Sequence, residues 1–257
     1  MTNHEAINRA AWNQEAEDYQ AENAPQIMAQ AFTGELGWGM WHIPEARLHV
    51  LGDVRDKDVL ELGSGAAQMS LAISHHGARA VGLDLSESQL AIARRLMRET
   101  GLTIPIVQGS GERAPFRDAS FDVVFSDYGA LYWADPHLTV PEAARLLRPG
   151  GLLAFTNYSP ISTIATPYGG DRAEERFVND YFGIHTVPVS DGTISFQLPY
   201  GEWTQLFRRC GLVVEELIEP RPDENASSTY ADAEDLRWGR RWPWECIWRV
   251  RKPAVPL

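Results

Sequence analysis

The stretch Val59–Ser70, VLELGSGAAQMS, decides how the rest of the chain is read. The β-branched and apolar run Asp58–Leu62 ends at a glycine and predicts a buried strand. Gly63 and Gly65 follow, one residue apart, and Ala66–Gly77 then reads as a helix with Gly77 as its stop. A glycine loop between strand and helix lets the backbone approach a ligand closely at a helix N-terminus. The loop's own side chains say which ligand. A dinucleotide loop reads G-x-G-x-x-G/A and sets a pyrophosphate on the helix. Here Gln68 stands at the third position, no Lys or Arg lies in the loop, and Glu61 precedes Gly63 by two residues. A carboxylate there repels a pyrophosphate and attracts a cation.

Working outward, the pattern alternates strand and helix from Lys57 to Asn157. ARAVGLDL (78–85) predicts a second strand, and SESQLAIARRLMRETG a second helix, with Ser86 and Gln89 in a capping-box pattern. TIPIVQG predicts a third strand, placed at an edge by Pro105. FDVVFSD (121–127) predicts a fourth. Asp135 and Pro136 cap and start a helix through Leu147, and RPGG then turns the chain into a fifth strand, LLAFTNY. Such alternation implies parallel βαβ units in a doubly wound α/β sheet, with ligands beyond the carboxyl ends of the strands. That gathers Gly63–Ala67, Asp84, Gly109–Glu112 and Ser126–Tyr128 around one crevice. Asp84 ends the second strand, where an acid accepts hydrogen bonds from ribose hydroxyls. A crevice asking for a ribose and preferring positive charge to phosphate fits a sulfonium nucleoside, S-adenosylmethionine.

Residues 159–199 are irregular, rich in Pro, Gly and aromatics, and too long for a plain connection, so they are expected to form a cap. GEWTQLFRRCG, LVVEELIEP and ECIWRVRK read as helix, strand and last strand. Residues 1–56 precede the sheet as a helical or lid segment, leaving 57–257 for the main domain with its cap insertion.

Composition narrows the function classes. The 257 residues include 44% hydrophobic ones, enough for a sizeable core. The formal net charge of -12 argues against a nucleic-acid substrate. RWGRRW (237–242) is the best candidate for a basic patch, and a solvated turn or lid segment is its simpler reading. No apolar run approaches the roughly 18 residues of a membrane span. The N-terminus has no signal-peptide pattern, and two cysteines suit a reducing cytoplasm, so a cytoplasmic location is expected. No His, Cys or carboxylate cluster has metal-ligand spacing, so no metal is expected.

VLELGSGAAQMS, VGLDLSESQLAIAR, GERAPFRDASFDVVFSDYGALYW and EAARLLRPGGLLAF, in this order, resemble the class I S-adenosylmethionine-dependent methyltransferases of the small-molecule type with an E-x-G-x-G loop. The resemblance implies a Rossmann-like, mostly parallel seven-stranded sheet with the last strand antiparallel, and S-adenosyl-L-methionine as cofactor. It places Gly63, Ser64 and Gly65 along the methionine part, with Glu61 orienting the loop. Asp84 goes to the ribose, Leu85 to the adenine face and Gln89 nearby. Ser110 stands where many members carry an adenine-binding Asp, followed by Gly111 and Glu112. Ser126, Asp127 and Tyr128 end the fourth strand, where members contact the cofactor and begin the substrate face. Tyr19 and Trp38 are candidate lid contacts, although Trp12, Trp38 and Trp41 each read singly as core aromatics.

Methyl transfer needs alignment of nucleophile and methyl and exclusion of water, and a base only where the nucleophile carries a proton to be lost. His137, His185 and Asp127 are the candidate bases. His137 also reads as a first-turn polar residue and His185 as a structural loop histidine; His75 and His76 are expected to face solvent. The aromatic-rich cap suggests an aromatic or apolar small-molecule acceptor. The sequence leaves open O-, N- or C-methylation, monomer or homodimer, and a non-methylating rearrangement or elimination in the same fold. Gln68 and Glu61 argue against a nicotinamide-dependent oxidoreductase, and the long cap against a purely structural binding module.

Overall fold

The computed structural model describes residues 1–224, 226 and 228–255. In chain order it comprises α1 (Asn3–Glu22), α2 (Ala24–Thr33), β1 (Gly37–Trp38), β2 (Ile43–Pro44), α3 (Glu45–Leu48), β3 (Asp58–Leu62), α4 (Gln68–His75), β4 (Arg79–Asp84), α5 (Glu87–Thr100) and β5 (Ile106–Gln108). Then come β6 (Phe121–Asp127), α6 (Ala130–Trp133), α7 (Pro136–Leu146), β7 (Leu147–Tyr158), α8 (Pro160–Ala165), β8 (Thr186–Pro188), β9 (Ile194–Phe196), α9 (Tyr200–Arg209), β10 (Val213–Ile218), α10 (Ala233–Gly239) and β11 (Glu245–Arg251).

Seven strands form one sheet in the order β10-β11-β7-β6-β3-β4-β5. Only β11, the last strand, runs antiparallel to its neighbours β7 and β10. The central strands are apolar on both faces because both faces are covered. Along β3, Val59 packs with α2, α4 and α5 on one side, whereas Leu60 and Leu62 pack with α7 and α9 on the other. The same alternation continues in β6 through Val123, Val124 and Phe125. Glu61 shares the face of Val59 and therefore points at α4. β5 lies at the edge, as Pro105 requires. A satellite core of Trp41, Ile43, Ala165, Trp238 and Trp244 ties the β1–β2 ribbon, α8 and α10 together.

Several local expectations are revised. β7 begins at Leu147 rather than after RPGG; Gly150, at φ 84°, lets RPGG bulge out between the pairs Phe121–Leu147 and Val123–Leu152. The capping box at α5 is half made: Ser86 Oγ accepts from the Gln89 backbone N–H at 3.1 Å, while the Gln89 side chain turns to accept from Gln20 of α1 at 3.1 Å. His75 and His76 are solvent-facing, but each Nε2 also reaches a carbonyl at the end of α2, Ala31 and Gly34, at 3.0 and 2.7 Å. The RWGRRW run forms the end of α10, buries Trp238, and spends its arginines on Glu234, Glu175 and the carbonyls of Asp223 and Glu224. It is no free basic patch. The cap contains α8 and the small β8–β9 sheet.

Candidate active site

The carboxyl ends of β3, β4, β5 and β6 open into a cavity of about 430 Å³, closed by α1 and by the cap. Its floor is the glycine loop. The Gly63 and Ser64 N–H groups both donate to the Leu83 carbonyl, at 2.8 and 3.0 Å, and so pin the loop across β4. Gly63 has φ 76°, and a Cβ there would overlap the backbone of Gly129 and Ala130. The loop therefore nests under the turn after β6 only because residue 63 is glycine. Gly65 has φ 53°, and a Cβ there would meet only the Gln89 side chain, at 3.6 Å.

Three carboxyl groups frame the floor. Asp84 accepts from Gly65 N–H at 2.7 Å and Ser86 N–H at 2.8 Å, and thereby holds the loop to the start of α5. Burial raises its pKa against the pull of these backbone donors. Glu61 accepts from the backbone and hydroxyl of Ser70, at 3.0 and 2.5 Å, and burial pushes its pKa up to about 8. Asp127 accepts from Gly39 N–H at 3.1 Å and is pushed up by burial to about 6. Arg9, the only arginine on the wall among the described residues, is paired with Glu87 at 2.9 Å.

Of the expected cofactor residues, Tyr19, Glu61, Gly63, Ser64, Gly65, Asp84, Leu85, Gln89, Ser110, Gly111, Asp127 and Tyr128 line this cavity. Trp38, Ser126 and Glu112 do not. Trp38 is fully buried, donates to Glu45 at 2.7 Å and packs edge-on against Phe125, as a core residue would. Ser126 donates to the Leu62 carbonyl at 2.8 Å and stitches β6 to β3. Glu112 turns away from the cavity to bind His4 of α1 and the Asp135 backbone N–H. Of the candidate bases, only Asp127 faces the cavity. His137 is exposed at the first turn of α7, and His185 accompanies Asp135 outside the wall. The expectation of no metal-ligand grouping also needs revision, because folding brings Asp135, His137 and His185 together.

Other wall residues escaped the sequence reading. Asn8 bridges α1 to two segments, donating to the carbonyls of Trp133 and Ile194 at 2.8 and 2.7 Å and accepting from Ile194 N–H at 2.9 Å. The inner face of α1 is polar, burying Glu5, Asn8 and Gln20 beside Ala16, so hydrophobic periodicity misses it. Tyr230 stacks on Tyr19 at 6.1 Å. Tyr132, Trp133, Tyr158 and Trp244 surround the far end of the cavity, and Tyr128, Tyr132 and Tyr158 meet edge to face at 5.1 to 5.6 Å. Tyr128 donates to Glu245 at 2.9 Å, a buried carboxyl whose pKa is raised to about 8.

Residues 60–155, from β3 into β7, match the methyltransferase domain family. A demethylmenaquinone methyltransferase of Thermus thermophilus is 33% identical over 106 residues, 40% of this chain and 48% of its own length. The chain spans about half the length of the curated relatives it matches. The solved structure of an S-adenosylmethionine-dependent methyltransferase from Mesorhizobium loti superposes with TM-score 0.66 at 24% identity, over 80% of this chain and 95% of that one. The 1,6-didemethyltoxoflavin-N1-methyltransferase of Burkholderia thailandensis, with 1,6-didemethyltoxoflavin and S-adenosylhomocysteine bound, superposes with TM-score 0.60 at 17% identity, over 98% and 91%.

The segment 60–155 is a methyltransferase domain.

The cradle fits S-adenosylmethionine on its own chemistry. Ser64 Oγ and Gln68 Oε1 are buried at the loop without a hydrogen-bond partner among the described residues. Asp84 and Asp127 offer their carboxyl groups to a space whose only arginine among the described residues is already paired. Such a space favours a cation-bearing nucleoside over a phosphate.

The same carboxyl groups make a signed prediction. Glu61 and Asp127 have folded pKa values raised to about 8 and about 6, above the unfolded range near 4. Their contribution to stability is full below about pH 4 and is lost as pH rises through those folded values. The ligand-free protein is therefore expected to lose melting temperature between pH 5 and 8.5, by at least about 5 °C. Glu61→Gln, which keeps an acceptor for Ser70, flattens the slope. Scanning fluorimetry across that range checks it; a flat profile for the unsubstituted protein contradicts the burial argument.

Proposed function

We propose that this protein transfers a methyl group from S-adenosyl-L-methionine to an uncharged aromatic or apolar small molecule. The observation that carries the reading is the continuity of the cavity, from the glycine cradle past Asp127 and Tyr128 into the aromatic chamber of Tyr132, Trp133, Tyr158 and Trp244. The Burkholderia thailandensis structure, with 1,6-didemethyltoxoflavin bound, lends weight to a small-molecule acceptor. When bound, the cofactor supplies a methyl carbon activated by the sulfonium. Gly63, Ser64 and Gly65 would hold its methionine part, Asp84 its ribose and Leu85 its adenine.

The chain's part is positional. The tyrosines and tryptophans orient the acceptor ring and displace water. α1 and the cap, joined through Asn8, close over it. A division into a lid (1–56) and a methyltransferase domain (57–257) with its cap (159–199) follows from this reading. Asp127, ionised at neutral pH, takes the proton of a hydroxyl acceptor; an amine needs no base in the transfer step. Acidic acceptors are disfavoured by Asp127 and Asp171 on the wall.

The experiment is turnover with labelled S-adenosylmethionine against a panel of phenolic, heteroaromatic, aliphatic and anionic acceptors, with S-adenosylhomocysteine counted per product. One equivalent per methylated aromatic product is expected. Product without S-adenosylhomocysteine points to rearrangement or elimination. Methylation confined to anionic acceptors overturns the acceptor class.

A further inference from the structure

Asp135, His137 and His185 lie outside the cavity and take no part in the chemistry derived above. Asp135 and His137 are two residues apart at the start of α7, whereas His185 comes from the cap, fifty residues on. Folding nevertheless brings one ligand-type atom from each within 4.8 Å of the others. The two imidazoles face each other with centroids 5.3 Å apart and a tilt of 35°. From this grouping we infer that Asp135, His137 and His185 form a site for a divalent transition metal of the zinc type, which clasps the cap onto the first turn of α7.

The donor set is two imidazoles and one carboxylate, which suits Zn2+ and leaves a fourth position for water. Around a tetrahedral Zn2+ such donors sit about 3.3 Å apart. His185 Nε2 and Asp135 Oδ1 are already at 3.0 Å, so the remaining adjustment falls to His137, whose side chain is on the surface.

The supporting contacts are in place. Asp135 Oδ1 caps the His137 N–H at 2.9 Å, which fixes the carboxylate at the first turn, while Oδ2 has no hydrogen bond among the described residues. The carboxylate also stands between the metal and the positive end of α7. Glu112 fixes the Asp135 backbone, and the His185 carbonyl accepts from Gln197 N–H at 3.0 Å. Both halves of the clasp are thus anchored before a metal arrives, one on the sheet domain and one on the cap hairpin. The metal would act by holding the cap shut over the aromatic chamber.

The test uses chelator-treated full-length protein and Zn2+ alone. Calorimetry is expected to show one Zn2+ per chain, with affinity reduced at least 10-fold in both His137→Ala and His185→Ala. Co2+ is expected to give the visible absorption bands of a four-coordinate site. Limited proteolysis is expected to cut the cap within residues 166–184 more slowly with Zn2+ in the unsubstituted protein, and at an unchanged rate in the variants. Should His185→Ala fold poorly, His137→Ala, at an exposed position, carries the comparison. Absence of stoichiometric binding, or binding unchanged in the His137 variant, overturns the site. Neither outcome touches the methyl-transfer reading, since these residues lie outside the cavity.

Discussion

Replacing Gly63 by alanine is expected to destabilise the protein by about 3–6 kcal/mol, a large fraction of a typical domain's stability. Two costs add. At φ 76° an L-residue is strained by roughly 1–2 kcal/mol. The new Cβ also meets the Gly129 and Ala130 backbone, which cannot turn aside as a flexible side chain can. Gly65→Ala is the control, because it has a similarly positive φ of 53° but only the Gln89 side chain near its Cβ, at 3.6 Å. It is expected to lose about 1 kcal/mol and to fold. Urea unfolding of the two variants checks the contrast. Equal losses would mean that the loop does not nest under the β6 turn as described.

The second large effect is on binding. Asp84→Ala strips the acceptor from Gly65 N–H and Ser86 N–H and removes the carboxylate offered to the ribose. Affinity for S-adenosylhomocysteine is expected to fall by about 100-fold or more, since each charge-assisted hydrogen bond contributes about 1.5–3 kcal/mol. Asp84→Asn separates the two roles. It keeps an acceptor for one backbone donor and removes a charge whose burial is unfavourable in the empty site, as the raised pKa indicates. Its ligand-free melting temperature is expected to stay near that of the unsubstituted protein while its affinity falls about 10-fold. Calorimetry and melting curves measured together decide the point. Unaltered affinity in both variants removes Asp84 from the cofactor site.

Sequence reading succeeded where the physics is local. β3 and β6 were legible to the residue, because strands covered on both faces are mostly apolar along their length and are bounded by glycines or polar turns. The Gly63–Gly65 loop and Asp84 were legible because close backbone approach and strand-end acids leave few residue choices. Where the reading failed, the governing interaction spans the chain. Glu112 sits beside the expected adenine contact, yet His4, 108 residues away, takes its carboxylate. The capping partner of Ser86 was predicted from a four-residue pattern, but Gln20 captures the Gln89 side chain.

By itself, then, the sequence determined the βαβ order, the edge strand at Pro105, the sulfonium-friendly loop and the acid that follows it. The family's cofactor follows from these, because each depends on backbone geometry and charge within a few residues. Only the tertiary structure decided that Trp38, Ser126 and Glu112 serve the scaffold, that Asp127 alone of three candidate bases meets the cavity, and that Asn8 joins α1 to the cap. It also brought Asp135, His137 and His185 together. The reason is physical: a side chain's role depends on which distant groups share its space, and the packing of α1, the sheet and the cap settles that only once the chain has folded.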